Sequence, residues 1–191
     1  MTTVQTLSAA LARQRVLPVL REPDLTAAVS KVEALLAAGA RVIELTTTIP
    51  DWPAALAACV RADALIGVGT ITTATQATIA ITGGAAFLVS PYPSPAVRSA
   101  SAETPFIEGG LTPGEIAAAA VYGPAKVFPA HVGGPAYVRS LRAVLPDAML
   151  VPTGGVGLAD VDDYLAAGAL AVGVGSGLPT DPAELARVFA S

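Results

Sequence analysis

Ala38-Gly-Ala-Arg-Val-Ile43 returns in looser form as Gly83-Gly-Ala-Ala-Phe-Leu88 and again as Ala167-Gly-Ala-Leu-Ala-Val172. In each copy a glycine stands where a helix would stop, and large or β-branched apolar residues follow. Extending this unit in both directions gives eight short apolar runs, at 16–20, 42–46, 65–69, 87–90, 106–109, 126–129, 149–152 and 171–174. Between them lie alanine-rich segments such as 25–38, 113–122, 136–144 and 158–167, whose apolar residues recur at helical spacing. Several runs are apolar at consecutive positions, the pattern of parallel strands covered on both faces. Eight strand–helix units in sequence predict an α/β fold: a single (β/α)8 TIM barrel over residues 1–191 with a short N-terminal helix. The rival is an open doubly wound sheet, but no Gly-x-Gly-x-x-Gly turn follows the first strand.

Composition narrows the function. A chain that is 53% hydrophobic and only 14% charged is rich enough in apolar surface to be compact and oligomeric. Its net charge of −4, with no basic run, argues against nucleic acid and against an acidic membrane surface, which leaves a small-molecule substrate. The single cysteine, Cys59, forms no internal disulfide and sits in an alanine-rich helical stretch, so a buried thiol in a reducing cytoplasm is expected. The first fourteen residues read as an amphipathic helix rather than a signal peptide. Residues 64–97 carry no charge and are long enough to cross a bilayer, yet their glycines and prolines cut them into strand, helix, strand and turn. The helix within this stretch, about 73–82, offers mainly Thr and Gln to water, so a neighbouring subunit is expected to cover it.

A barrel of this kind places its chemistry at the C-terminal ends of the strands. There the polar residues collect: Glu44 and Thr46 to Thr48 after strand two, Thr70 after strand three, Ser90 and Pro91 after strand four, and Glu108 on strand five. Strand six carries Lys126, within Ala125-Lys-Val-Phe-Pro129, and strands seven and eight end in Thr153-Gly-Gly155 and Gly173-Val-Gly-Ser176. The chain has two lysines; Lys31 falls on a solvated helix face, whereas Lys126 interrupts an apolar run. Burial favours the neutral amine and turns it into a nucleophile of the Schiff-base kind. On their own, those five residues favour a packed lysine stem whose ammonium reaches water. Glu44 is costly to bury unless it is paired, so it is either the acid/base partner that Schiff-base chemistry needs or one half of a structural ion pair with Lys126 or Arg21. Gly154, Gly155, Gly175 and Ser176 form a candidate phosphate site of backbone N–H groups and one hydroxyl, with Arg21 as the adjacent cation. Tight turns are the ordinary alternative for such glycines. His131, the only histidine, reads as a loop surface residue, and no set of side chains has metal-ligand spacing.

Six blocks in order, Arg41-Val-Ile-Glu-Leu-Thr46, Gly67-Val-Gly-Thr-Ile71, Leu88-Val-Ser-Pro91, Lys126-Val-Phe-Pro-Ala130, Val151-Pro-Thr-Gly-Gly-Val156 and Gly173-Val-Gly-Ser-Gly-Leu178, resemble the class I 2-keto-3-deoxy-6-phosphogluconate (KDPG) aldolases. The resemblance covers nearly the whole chain. It implies a cofactor-free and metal-free barrel, usually a homotrimer, in which Lys126 forms a Schiff base with pyruvate and Glu44 shuttles protons. It further implies that Thr70 and Thr153 contact pyruvate, that Gly154, Gly155 and Ser176 hold phosphate, and that Pro91 forms the site wall. Three positions depart from the pattern. Thr48 stands where many members have an arginine for the pyruvate carboxylate, Glu108 where a proline is usual, and His131 where an acidic residue or serine is common. Thr48 is then expected to share carboxylate binding with backbone N–H groups or another arginine. Glu108 is expected at the barrel mouth, either repelling an anionic substrate or raising the pKa of Lys126. The segments Ile49-Pro-Asp-Trp52 and Gly134-Pro-Ala-Tyr-Val138 also resemble the sister 2-keto-3-deoxy-6-phosphogalactonate aldolases. The expected reaction is reversible cleavage of a 2-keto-3-deoxy-6-phospho sugar acid to pyruvate and glyceraldehyde 3-phosphate; cleavage of the galactonate epimer or of 4-hydroxy-2-oxoglutarate, and a non-catalytic scaffold, are the alternatives.

Overall fold

The computed structural model describes residues 3–189. After α1 (Thr3–Gln14), strands and helices alternate: β1 (Val16–Leu20), α2 (Leu25–Ala37), β2 (Val42–Thr46), α3 (Trp52–Cys59), β3 (Leu65–Gly69), α4 (Ala74–Thr82), β4 (Leu88–Val89) and α5 (Pro95–Ser101). The second half continues with β5 (Phe106–Gly110), α6 (Pro113–Ala120), β6 (Ala125–Val127), α7 (Gly134–Val144), β7 (Leu150–Pro152), α8 (Val161–Ala166), β8 (Val172–Val174) and α9 (Pro182–Phe189). All pairings are parallel, in the order β7-β6-β5-β4-β3-β2-β1-β8. A bridge between Thr153 and Gly173 brings β7 to β8 and closes the predicted (β/α)8 barrel.

Strand alternation divides the apolar residues into two cores. Val16, Leu20, Ile43, Leu45, Ile66, Val68, Ala125, Val127, Leu150 and Val172 face outward and pack under the helices. Leu17, Val19, Val42, Phe87, Val89, Ile107, Val151 and Ala171 fill the lumen. This double covering explains why the strands read as continuous apolar runs rather than alternating ones. Leu7 and Leu11 of α1 join the lumen cluster. Gln14, at the end of α1, donates to the carbonyls of Val16 and Val42 and accepts from the N–H groups of Arg41 and Val42, so the helix stoppers the N-terminal end of the barrel.

Several helix starts follow from local chemistry. Thr73 with Gln76, and Thr112 with Glu115, form capping boxes that satisfy the first free N–H groups of α4 and α6. Cys59 is buried, as expected, and burial raises its thiol pKa. Lys31 departs from the solvated position expected of it: its ammonium donates to the Pro179 carbonyl at 2.7 Å and ties α2 to the segment before α9. Strand six is shorter than the expected 126–129, because the chain turns at Pro129 into a short 3-10 segment, Ala130–Val132. No helix among the described residues is long and apolar enough to cross a membrane.

Candidate active site

Glu44 shares the inner face of β2 with Val42, and Lys126 lies between the outward-facing Ala125 and Val127 of β6. The two therefore meet in the lumen, with Glu44 Oε1 3.6 Å from Lys126 Nζ. Their side chains are 0% and 2% exposed. Neither carboxylate oxygen of Glu44 has a hydrogen-bond partner among the described residues. The ammonium also lies 5.3 Å from the centre of the Phe128 ring, within reach of a cation–π attraction.

Three influences act on the Lys126 amine. Burial is the largest and lowers its pKa from the usual value near 10.5; the Glu44 carboxylate pushes it back up, and the positive charge of Arg21 lowers it further. The net direction is downward. A lysine so placed is a better nucleophile than a free one, because more of it is unprotonated at a given pH.

Glu44 owes its space to Gly69 on β3, two residues beyond its own register partner Gly67. A Cβ at position 69 would overlap the Glu44 carboxylate, so a side chain there and the carboxylate in its present position are mutually exclusive. Thr70, the next residue, takes a left-handed conformation with φ 59°, and its carbonyl accepts from the Thr47 hydroxyl at 2.8 Å. Gly109 is the register partner of Lys126, and Pro91 packs so closely against it that a Cβ would collide with the Pro91 backbone. The Thr48 side chain is turned to Thr46 at 2.6 Å, and the Thr46 hydroxyl in turn reaches the Leu20 carbonyl at 2.8 Å.

A cavity of about 370 Å³ opens at the C-terminal ends of β1, β7 and β8. Val19, Arg21, Thr153, Gly154, Gly155, Gly175 and Ser176 line it. Val19 is the register partner of Glu44, so this cavity adjoins the level of the carboxylate and the lysine. The structure thus brings Arg21, Thr153, Gly154, Gly155, Gly175 and Ser176 to one wall, as their order along the strands predicts. Backbone N–H groups, a hydroxyl and a guanidinium on one concave surface suit an anion. Thr48, Thr70 and Pro91 occupy the ends of β2, β3 and β4 around the rest of the mouth and do not line this cavity.

Glu108 corrects the expectation made for it. It shares the outward face of β5 with Phe106, where it accepts the Ser94 N–H at 2.6 Å and pairs with Arg98 through both Nε and Nη2. Arg98 also stacks over the Tyr122 ring at 4.9 Å. The carboxylate is therefore engaged beneath α5, outside the lumen, and it is not among the charges that move the Lys126 pKa. The residue that sequence reasoning set aside is His131. Its Nδ1 lies 3.2 Å from the carbonyl oxygen of Gly154, a residue of the cavity wall, and only the fold brings these two positions, 23 residues apart, together. Among the described residues no group of three His, Cys, Asp or Glu side chains is placed to hold a metal ion.

The family model described as "Aldolase: KDPG and KHG aldolase" matches residues 7–188. The chain belongs to this family. Among curated relatives, this aldolase is 37% identical to a probable 2-dehydro-3-deoxy-6-phosphogalactonate aldolase of Rhizobium meliloti, over 77% of the chain and 73% of the relative. It is 36% identical to a 2-dehydro-3-deoxy-phosphogluconate aldolase of Treponema pallidum, over 84% of the chain and 80% of the relative. Among solved structures, it superposes with a TM-score of 0.83 and 29% identity on a KDPG aldolase from Legionella pneumophila in which pyruvate was captured as a covalent carbinolamine, covering 95% of each chain. The aldolase is thus a lyase, and these relatives divide between two sugar-acid epimers.

Proposed function

We propose that this aldolase reversibly splits a 2-keto-3-deoxy-6-phospho sugar acid into pyruvate and glyceraldehyde 3-phosphate through a Schiff base on Lys126. The observation that carries the proposal is the buried Glu44–Lys126 pair beside a concave wall built for an anion. The neutral Lys126 amine attacks the C2 ketone and gives a carbinolamine, which loses water to form an iminium ion. Deprotonation of the C4 hydroxyl then lets the C3–C4 bond break, with the electron pair drawn into the iminium as an enamine and the aldehyde released. Protonation at C3 and hydrolysis return pyruvate and the free lysine. Each stage moves a proton, and Glu44, with no hydrogen bond to hold its oxygens elsewhere, is the relay. In this reading Arg21, Gly154, Gly155, Gly175 and Ser176 bind the phosphate, Thr70, Thr153 and Thr48 serve the pyruvate end, and Pro91 walls the site.

The galactonate epimer is a second reading, favoured by the Rhizobium meliloti relative. Cleavage of 4-hydroxy-2-oxoglutarate is a third, and it would leave the anion wall without a phosphate. Relative kcat/KM on the three substrates separates them. Incubation with pyruvate, borohydride reduction and peptide mapping tests the mechanism itself. An adduct on Lys126 that is absent from Lys126→Ala supports it, and no adduct anywhere overturns it.

The proposal extends to a homotrimer acting in the cytoplasm. Exposed Ile79 on α4 and the absence of charge on that helix support a covered face there. Thr78 and Ile79 lie on α4 outside its Thr73–Gln76 capping box, so charge can be introduced there without disturbing the helix start. Glutamate at both should reduce the mass seen by light scattering from trimer to monomer; an unchanged mass rules this face out.

A further inference from the structure

Position 131 lies outside the cavity wall, yet it is bonded to it twice. The Gly154 carbonyl accepts from the His131 backbone N–H at 3.1 Å, and the His131 imidazole Nδ1 reaches the same oxygen at 3.2 Å. A carbonyl only accepts, so the bonded Nδ1 carries the proton. The ring also packs against the next residue: a Cβ on Gly155 would stand 2.5 Å from His131 Nδ1 and 2.6 Å from its Cγ. On the other side, a Cβ on Gly154 would stand 2.7 Å from the Phe128 ring. The two glycines, with φ of +94° and +69°, are therefore held between two rings.

The peptide joining Gly154 to Gly155 is planar and trans, so its C=O and N–H point in opposite directions. His131 draws the C=O away from the cavity, whose wall includes Gly154, Gly155, Ser176 and Arg21 but not His131. The Gly155 N–H is thereby turned to the other side, and it donates to no described group. A peptide between two glycines is unusually free to flip, because neither residue has a Cβ to oppose it. The flipped form would present a carbonyl oxygen to an anion and repel it.

We infer that His131 is a positioning residue of the phosphate subsite, pinning the Gly154 carbonyl so that the Gly155 N–H faces the bound anion. The inference rests on the phosphorylated-substrate reading above. It makes His131 act through the backbone rather than by touching substrate.

Three variants separate the hydrogen bond from simple filling of space. His131→Ala removes the imidazole bond and the ring and leaves only the backbone N–H bond to Gly154; His131→Phe keeps a ring without the side-chain donor. His131→Asn places an amide Nδ2 at the position of Nδ1 and restores a donor. The readouts are KM and kcat for the 6-phospho keto acid, the inhibition constant of inorganic phosphate, and the rate of borohydride trapping with pyruvate, which has no phosphate. Loss of one hydrogen bond to the turn predicts that Ala and Phe raise KM and the phosphate inhibition constant about 5- to 15-fold, while Asn recovers most of the loss. Trapping with pyruvate stays within about twofold, which also shows that the variants are folded. If Ala or Phe leaves both constants at the wild-type value, the inference is overturned and the phosphorylated-substrate reading stands. A parallel fall in pyruvate trapping assigns His131 a general structural role and overturns it equally. A wild-type enzyme that neither cleaves the phosphorylated acid nor is inhibited by phosphate removes the substrate reading, and the inference with it.

Discussion

Glu44 Oε1 lies 3.6 Å from Lys126 Nζ, and among the described residues this is the only polar engagement of a carboxylate that is completely buried. Structural buried carboxylates are normally satisfied by several donors, as Glu108 is by Ser94 and Arg98. The two glutamates of this barrel therefore differ in kind. Glu108 is fully engaged and points outward; Glu44 is underused, points inward, and faces a lysine that burial has pushed toward its neutral form. Unspent hydrogen-bonding capacity next to a nucleophile is what a proton relay requires.

Replacing Glu44 with Gln keeps the shape and removes the charge. Lys126 then loses the influence that raises its pKa, so the pH midpoint of pyruvate trapping moves to lower values. Turnover falls, because the relay is gone, by about 10²- to 10⁴-fold in kcat. A pH profile of trapping together with steady-state rates tests both halves, and an unshifted midpoint with normal turnover would remove Glu44 from the mechanism.

The lowered pKa of Lys126 also links stability to pH. Between its native value and the unfolded value of about 10.4, the unfolded chain binds more protons than the native one, so stability rises with pH across that window. Below the native pKa the full cost of the buried ammonium is present. Tyr137 and Tyr164, whose phenols burial raises, act in the opposite sense at alkaline pH in any variant. The difference between wild type and Lys126→Met therefore isolates the lysine: urea midpoints should show the wild type gaining on Lys126→Met as pH increases, and parallel curves would contradict the assignment.

The barrel was readable because helix stops and apolar runs recur at the same interval, as at 38–43 and 167–172. Lys126 and Glu44 stood out because a charge inside such a run needs a reason, and Gly154, Gly155 and Ser176 because of their place in the strand order. Glu108 was misread for a definite cause. Both faces of β5 are apolar, with Phe106 outside and Ile107 inside, so composition alone does not say which face is the lumen. His131 was invisible in another way: its partner is a carbonyl 23 residues away, and no local pattern encodes that meeting. Gly69 likewise gave no sign that its missing side chain makes room for Glu44.

Glu108→Ala turns the correction into a measurement. The Ser94 N–H loses its buried acceptor and Arg98 its partner, which predicts destabilisation by about 1–3 kcal/mol. Since Glu108 does not face Lys126, the rate and pH midpoint of pyruvate trapping should match wild type below the melting transition. Thermal unfolding and trapping on the same sample decide it; a shifted midpoint with unchanged stability would return Glu108 to the mouth.

Gly69→Ala tests the Glu44 geometry without touching its charge. Position 69 has no left-handed backbone to forbid alanine, so the whole effect comes from overlap between the new methyl group and the Glu44 carboxylate. The carboxylate must swing away from Lys126, and overpacking at a closed site should destabilise the barrel by about 1–3 kcal/mol. Turnover should fall with it, as in Glu44→Gln, although every ionisable group remains. Shortening the partner relieves the same overlap, so Glu44→Asp in the Gly69→Ala background should recover part of the lost stability while turnover stays low. The two substitutions would then be non-additive in a double-mutant cycle read by denaturant midpoints. Additive effects would mean that Gly69 does not hold the space that Glu44 occupies.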